Sequence, residues 1–248
     1  MEENLYLYGV IRKEVDLSFD ENGISLNGSD ASVKTFPELG LSVVYTELGP
    51  QDSIKIAATR KNLITHQKVV EKVLETHSIL PFKFGTVLAS KEDIHDLLNL
   101  KLPNFQEELE KIEGKVEMNL KVMWNDMEQV FHAISSENIA IINLKERLMA
   151  NGGGTQNDKI ELGQVVEQAM ETKKSHEADL ILERLKPVCS DIRVNKNITD
   201  NMFLNVAMLI NREGEQQLDE AVNSISEDYH DTVSFKYVGP TAPFNFIS

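Results

Sequence analysis

One run of strict alternation between apolar and other positions constrains the fold more than any other feature of this sequence. Apolar residues occupy every second position from Val116 to Trp124, with mostly polar residues between them. Side chains on a β-strand point alternately to its two faces, so this spacing predicts a strand with one buried face and one polar face. The run is the clearest strand in the chain, and the neighbouring elements are assigned around it.

The polar face of this strand carries three candidate contact residues. Glu117, Asn119 and Lys121 share that face because successive members are two residues apart. The arrangement favours one of two structures, namely a Glu117–Lys121 ion pair on the sheet face or a contact with a partner protein. Both readings stay open at this point.

The order of the elements predicts an α+β fold with two domains. From Gly114 onward the periodicity predicts strand, helices, strand, strand, helix and strand, the order of a ferredoxin-like βαββαβ unit. The residues before 90 predict a reduced version of this plan. We therefore predict an N-terminal α+β domain over residues 1–89, a connecting helical segment over 90–113, and a C-terminal α+β domain with a helical insertion over 114–248. Both domains are expected to carry helices on one face of an antiparallel sheet.

Local signals in the first half predict turns and a strand. The Asn-Gly pairs at 22–23 and 27–28 are typical of tight turns and predict a hairpin or an exposed loop. Residues 82–88 have the apolar pattern of a strand. On that strand Phe82 and Phe84 would share one face, as core residues commonly do.

Other signals mark the helices. Ser90 and Asp93 form a capping-box pattern at a helix start, and Pro103 is expected to kink or interrupt the helix that follows. Helices are also predicted over about 126–150 and 159–186. The glycines at 152–154 lie between these two helices and predict a flexible connector, because glycine-rich segments behave as mobile coils.

The charge of the chain limits its partners. Its 40 acidic and 25 basic residues give a formal net charge of −15. A nucleic-acid-binding protein normally carries a basic surface, and anionic membranes repel an acidic protein. The charge is compatible with a neutral or basic protein partner, or with solubility alone. No stretch approaches the ~20 apolar residues that span a bilayer, and the first residues lack the pattern of a secretory signal, so we expect a cytoplasmic protein.

The residues that commonly carry catalysis show no recognisable arrangement. No two of the six histidines are three or four residues apart, and the single cysteine, Cys189, cannot form a cysteine-rich zinc site. We interpret the histidines as surface or structural groups. The glycine run lacks the Lys-Ser/Thr ending of a phosphate-binding loop. The sequence therefore predicts no metal site, no cofactor and no enzymatic activity.

Three separated segments resemble one known family. They are LPFKFGTV at residues 80–87, GKVE from residue 114 continuing through Lys121-Val122, and GPTAPFNF at residues 239–246. All three are similar to motifs of the gas vesicle accessory proteins of the L and F type (GvpL/GvpF), and YLYGV at residues 6–10 resembles the usual start of that family. Residues 151–200 match the family poorly. The chain also departs from the motifs at Met118, at Thr241-Ala242 and at Phe244.

The resemblance implies a function and a set of binding residues. The expected function is a non-catalytic accessory role in gas vesicle nucleation and assembly, through binding the small hydrophobic shell protein and other accessory proteins. The expected location is the gas vesicle, in the cytoplasm. The candidate protein-binding residues are Pro81, Phe82, Phe84, Gly85, Glu117, Lys121, Gly239, Pro240, Pro243, Phe244 and Phe246.

Two alternatives to this interpretation stay open. The motif residues are mostly of types that dominate protein cores, so they could maintain the fold instead of binding a partner. As a different function, ferredoxin-like domains could form a regulatory protein that binds a small ligand, a hypothesis based on fold analogy alone. A concave apolar pocket would favour the ligand-binding hypothesis, whereas an exposed apolar strip would favour the accessory protein.

Overall fold

The computed structural model describes residues 4–13, 18–19, 25–26, 29–30, 32–49, 56–150 and 152–247. The chain divides into two compact units. The first unit contains Met1–Glu117 together with Gly239–Ser248, and the second contains Met118–Val238. Both division points fall within β-strands.

The first unit is built around an antiparallel sheet with strand order β2-β5-β6-β1-β7, in which β8 also pairs with β1. Two further short strands, β3 and β4, pair with each other. The predicted turn residues at 22–23 and 27–28 lie outside the described residues. The strands are β1 Leu5–Ile11, β2 Ser18–Phe19, β3 Ser25–Leu26, β4 Ser29–Asp30, β5 Val33–Glu38, β6 Leu41–Glu47, β7 Ile79–Pro81 and β8 Val87–Leu88.

Strand β1 is buried on both faces and lies at the centre of this unit. Its register with β6 shifts between Leu7 and Gly9, which marks a β-bulge. A side chain at Gly9 would place a Cβ atom 2.6 Å from the backbone oxygen of Leu80. Only glycine therefore permits β7 to approach β1 so closely.

Helices cover both faces of this sheet. The helices are α1 Arg60–Leu74 and α2 Lys91–Ile112. Leu5 and Leu7 pack in one apolar cluster with residues of α2, whereas Tyr6 and Tyr8, on the other face of β1, contact His66 of α1. This differs from the expectation that helices cover one face only, because β1 is apolar at every position and both of its faces need cover.

Helix α2 runs without interruption through Pro103, so the prediction that this residue interrupts the helix is wrong. Proline removes one backbone donor, and burial of the helix's apolar stripe against the sheet compensates for that loss. At its start, Ser90 accepts a hydrogen bond from the Asp93 amide at 3.1 Å. The Asp93 carboxylate accepts from the Ala89 amide, so only half of the predicted capping box forms as expected.

The second unit contains strands and helices in the predicted order. Its four-stranded sheet has the order β10-β11-β9-β12, and β10 and β11 pair antiparallel. The alternating run forms β9, with its apolar residues buried. The elements are β9 Lys115–Trp124, α3 Met127–Glu137, α4 Ile139–Ala150, α5 Gln156–Leu185, β10 Asp191–Val194, β11 Met202–Asn211, α6 Glu215–Tyr229 and β12 Val233–Thr241.

The first helix predicted in this unit is two helices in the structure. The Asn138 side chain caps the start of α4 by accepting from the amides of Ala140 and Ile141 at 3.0 and 3.3 Å. Glycines 152–154 lie between α4 and α5, and all three have positive φ. Thr155 and Asp158 then form a capping box at the start of α5.

The α+β class and the two antiparallel sheets confirm the predicted fold class. The ferredoxin-like description stays a prediction. The unit boundaries differ from those we predicted, since residues 90–113 belong to the first unit. The physical reason is that Ile94, Leu98 and Leu109 of α2 pack into that unit's core and do not form a separate connector. Residues 239–248 also belong to the first unit.

Candidate functional site

The first unit brings together segments that lie far apart in the sequence. The 81–85 turn, Glu117 and the 239–247 segment all belong to it. Of the candidate residues, Lys121 lies in the second unit, where its side chain is half-buried on β9. The candidate site is therefore described from residues of the first unit.

The segment after β7 forms a turn in place of the predicted strand. Pro81 ends β7, and the Phe82 amide donates to the Tyr8 carbonyl at 2.9 Å. The Thr86 amide then donates to the Lys83 carbonyl at 3.2 Å, and Gly85 has a φ of 88°. This left-handed conformation favours glycine, and it ends the extended chain that residues 82–88 were predicted to form.

Because the chain turns here, Phe82 and Phe84 point into different surroundings. The Phe82 ring packs against the core cluster, with its centre 6.0 Å from that of Phe105. The Phe84 ring instead lies 6.1 Å from Tyr6 and 5.8 Å from His66. The prediction that both rings share one strand face is wrong. Only Phe84 belongs to the site described below.

Glu117 holds the 239–247 segment. Its side chain is 2% exposed. One carboxylate oxygen accepts from the Asn245 backbone amide at 2.8 Å, and the other accepts from the Asn245 side-chain amide at 2.7 Å. The Thr241 hydroxyl also donates to the Glu117 backbone oxygen at 3.3 Å. Because a buried carboxylate needs hydrogen-bond donors, Glu117 and Asn245 fix the position of this segment together.

The segment buries some of its side chains and exposes others. Ala242, Pro243 and Phe246 are buried, whereas Phe244 is 39% exposed. Pro240 is also exposed, and Gly239 before it has a φ of 154°. The 239–247 segment thus lies on the surface of the first unit, with Phe246 as an anchor and Phe244 accessible to a partner.

A cluster of aromatic rings surrounds His66 beside this segment. The His66 ring stacks on Tyr8 at 5.5 Å between ring centres and meets Tyr6 edge-on at 5.7 Å. Phe84 and Phe244 lie at 5.8 and 6.5 Å from it. We call these five residues the aromatic cluster. It joins β1, α1, the 81–85 turn and the 239–247 segment.

Hydrogen bonds link His66 to Tyr6 and Gly85. The Gly85 amide donates to the Tyr6 hydroxyl at 3.3 Å, and that hydroxyl lies 2.8 Å from His66 Nδ1. The Tyr6 hydroxyl has one proton to donate, and donation to Nδ1 corresponds to the His66 tautomer with its ring proton on Nε2. The Nε2 atom is buried and makes no hydrogen bond of normal geometry.

Burial controls the protonation of the cluster. Loss of hydration on burial lowers the pKa of His66 to about 4, and a favourable interaction with the Phe82 backbone opposes this only in part. Burial likewise raises the pKa of Tyr6 to about 12 and that of Tyr8 further. At neutral pH all three side chains are therefore uncharged, and the cluster is suited to packing and not to proton transfer.

Helix α1, which carries His66, also has exposed apolar residues. Leu63 and Ile64 are 44% and 43% exposed. Leu63 is one helical turn before His66, so the two residues lie on the same side of the helix. The Thr59 hydroxyl caps the start of α1 by accepting from the Asn62 amide at 3.2 Å. Phe244 is exposed to a similar degree, and we refer to the exposed residues Leu63, Ile64 and Phe244 together as the apolar surface of the first unit.

Two hollows of the second unit are large enough for a small molecule. One, of about 540 Å³, lies among helices α3, α4 and α5, and Ile134, Ala140, Val165 and Ala169 form its apolar part. The other, of about 510 Å³, is lined by residues that include Trp124 and Tyr229. Both volumes fall in the range typical of small-molecule pockets. Within the described ranges, no group of three His, Cys, Asp or Glu side chains is placed to hold a metal ion, and no helix is long and apolar enough to cross a membrane.

Comparison with known proteins decides the family. A family model described as gas vesicle synthesis protein GvpL/GvpF matches residues 4–248. The chain belongs to the GvpL/GvpF family. It is 25% identical to gas vesicle protein F of a Nostoc species, over 99% of this chain and 98% of that protein. It is 27% identical to gas vesicle protein F of Microcystis aeruginosa, over 99% and 98% of the two chains.

Solved structures of the GvpL/GvpF family have the same fold as this chain. The crystal structure of GvpF from an Anabaena species has a TM-score of 0.85 at 24% identity and covers 99% of this chain and 98% of that one. GvpF from Microcystis aeruginosa has a TM-score of 0.80 at 26% identity and covers 98% of both chains. The resemblance seen in the three sequence motifs is confirmed, and the chain has an accessory role in gas vesicles.

Sequence reasoning missed two residues of the site. His66 was interpreted only as a surface or structural group, and Asn245 was not singled out as the partner of Glu117. A signal for the cluster was present in the sequence, since Tyr6 and Tyr8 are two residues apart on a predicted strand and so share one face. No local pattern links Glu117 to Asn245, because they are 128 residues apart.

Proposed function

We propose that this chain is a non-catalytic accessory protein in gas vesicle nucleation and assembly, where it binds the small hydrophobic shell protein and other accessory proteins. Its place of action would be the gas vesicle, in the cytoplasm. The observation that carries the proposal is the apolar surface of the first unit, where Leu63, Ile64 and Phe244 are each about two-fifths exposed. All three residues lie within the range, 4–248, that the GvpL/GvpF family model matches.

The apolar surface and the net charge of the chain both suit this role. Shell proteins expose apolar area before they polymerise, and such area aggregates unless another surface covers it. A side chain such as Phe244, which is rigid and only partly buried, is suited to this contact. The net charge of −15 would keep the complex dispersed and disfavours nucleic acids and anionic membranes as partners.

Co-purification with the shell protein at low and high salt tests the proposal. We expect capture that resists salt, because apolar contacts are not screened. Replacing Leu63 and Phe244 together by Gln should reduce capture about tenfold or more, from the lost burial of two large side chains. Gln at Ile139 and Met149, which are 74% and 78% exposed in the second unit, is the matched control.

Two other results would change the proposal. Capture that weakens strongly with salt would move the contact from the apolar surface to the acidic residues. Absence of capture, even with the other accessory proteins present, would overturn direct binding of the shell protein.

A small-ligand-binding regulatory role is the second candidate function. It is favoured by the hollow of about 540 Å³ among α3, α4 and α5. If a metabolite binds there, it should raise the melting temperature of the chain, and replacing Ala169 by Trp to fill the hollow should abolish that increase. A metabolite collection that produces no shift in the unchanged chain would count against this function.

A further inference from the structure

The surface of the first unit that holds the 239–247 segment has the properties of a peptide-recognition site. Its central group, Glu117, is 2% exposed and binds one backbone and one side-chain amide of a single asparagine. Such a pair of hydrogen bonds recognises both an extended backbone and the identity of Asn245. We call Glu117, His66 and Phe84 the seat.

The 239–247 segment contacts the first unit in the way that a bound peptide contacts its binding site. Phe246 and Pro243 are buried anchors, and Ile247 packs against the core cluster of the first unit. Phe244 lies over His66 with 6.5 Å between ring centres. Two anchors separated by a recognised polar residue form a motif that a separate peptide could also present.

The segment begins with the last residues of β12, so its release would remove residues 239–241 from that strand but would disrupt no helix. Gly239 has a φ of 154°, a conformation that other residues rarely adopt, and Pro240 is exposed. The contacts of the seat with Asn245 and Phe244 do not depend on which copy of the chain supplies the segment. Exchange of an identical element between copies is a low-cost route to association.

We propose that the seat binds the 239–247 segment of a second copy of this chain, so that two copies associate by exchanging segments. The segment that occupies the seat in the structure identifies the chemistry of the partner. Each copy carries a net charge of −15, so repulsion opposes this association at low salt. Added salt should therefore strengthen it, unlike an interface held by ion pairs.

A mixing experiment with two full-length variants tests exchange directly. Glu117→Ala damages the seat and leaves the segment intact, whereas Asn245→Ala combined with Phe246→Ala damages the segment and leaves the seat intact. Each variant alone should be monomeric by native mass spectrometry. Their mixture should give a one-to-one dimer, more abundant at higher salt before transfer to the volatile buffer. A mixture that stays monomeric would overturn the proposal.

A second measurement does not depend on the Glu117 variant being folded. A fluorescent peptide with the sequence of residues 239–247 should bind the segment-damaged chain, and a peptide with Ala in place of Asn should bind about tenfold or more weakly. The unchanged chain should also bind the first peptide, but more weakly, because its own segment competes. Binding to neither chain, or equal binding of both peptides, would contradict the proposal. No shell protein is used, so failure here leaves the proposed accessory function untouched.

Discussion

The two units differ in what they bury. All but one of the buried polar or charged side chains among the described residues lie in the first unit, and the exception is Asn205. In the first unit Glu117 and His66 are each fixed by a specific partner. In the second unit the core is apolar, and the helices leave hollows at their surface. The comparison indicates that directional hydrogen bonds shape the first unit, whereas apolar packing shapes the second.

The largest expected effect comes from removing the carboxylate of Glu117, a buried charged group of the first unit. Glu117→Ala should lower the free energy of unfolding by about 4 kcal/mol, since two charge-assisted hydrogen bonds are lost and Asn245 loses its acceptors. Lys121→Ala, on the same strand in the second unit, should change it by less than about 0.5 kcal/mol. Urea denaturation of both variants measures the difference. Similar values for the two would show that Glu117 contributes no more than a surface residue.

Acid should weaken the first unit through His66. Its pKa is lowered from 6.5 to about 4, so at intermediate pH the unfolded chain binds a proton that the folded chain excludes. The stabilising contribution is complete above pH 6.5 and is lost as the pH falls towards 4, with a total of up to about 3 kcal/mol.

The measurement is the free energy of unfolding at pH 7 and at pH 4.5. In His66→Phe this part of the pH dependence should disappear, whereas in His132→Gln, where the residue is exposed, it should remain. Equal pH dependence in His66→Phe and the unchanged chain would refute the role of His66.

A smaller effect is expected from replacing a glycine on strand β1 of the first unit. Gly9→Ala would place a methyl group 2.6 Å from the Leu80 oxygen, which forces β7 away from β1. We expect a loss of about 2 kcal/mol in the free energy of unfolding. Thermal denaturation measures it, and an unchanged melting temperature would show that β7 is free to shift.

The smallest effect has the opposite sign and belongs to the second unit. Gly163 lies inside α5, and a Cβ atom there would meet nothing within 4 Å. Gly163→Ala should therefore stabilise the chain by about 0.5–1 kcal/mol, through the higher helix propensity of alanine. A decrease in melting temperature would show that the added methyl group meets an obstacle at this position and that helix propensity does not dominate there.

The sequence predicted elements well where periodicity is local. The alternation from Val116 to Trp124 predicted β9, and the order of strands and helices in the second unit followed from similar patterns. The sequence-based prediction was wrong where a local backbone conformation or a side-chain cap determines where an element ends. The positive φ at Gly85 converts a predicted strand into a turn, and the side-chain cap at Asn138 divides a predicted helix.

The candidate site was predictable only in part. The motif resemblance located most of its segments, but the aromatic cluster and the bond from Glu117 to Asn245 come from chain segments that meet only in the folded structure. The expected alternatives for Glu117 were an ion pair with Lys121 or a partner contact, since only neighbours on the strand are visible in a sequence. The assignment of the eleven candidate residues to partner binding stays a prediction.

The distance along the chain between Glu117 and Asn245, 128 residues, also has a consequence for synthesis. A ribosome must translate the whole of the second unit before the 239–247 segment emerges. Until then Glu117 of the nascent first unit lacks the donors of Asn245, and the aromatic cluster lacks Phe244. The first unit therefore reaches its final stability only after the whole second unit has been translated, and a truncated messenger RNA yields a first unit that is less protected from cellular proteases than the finished one.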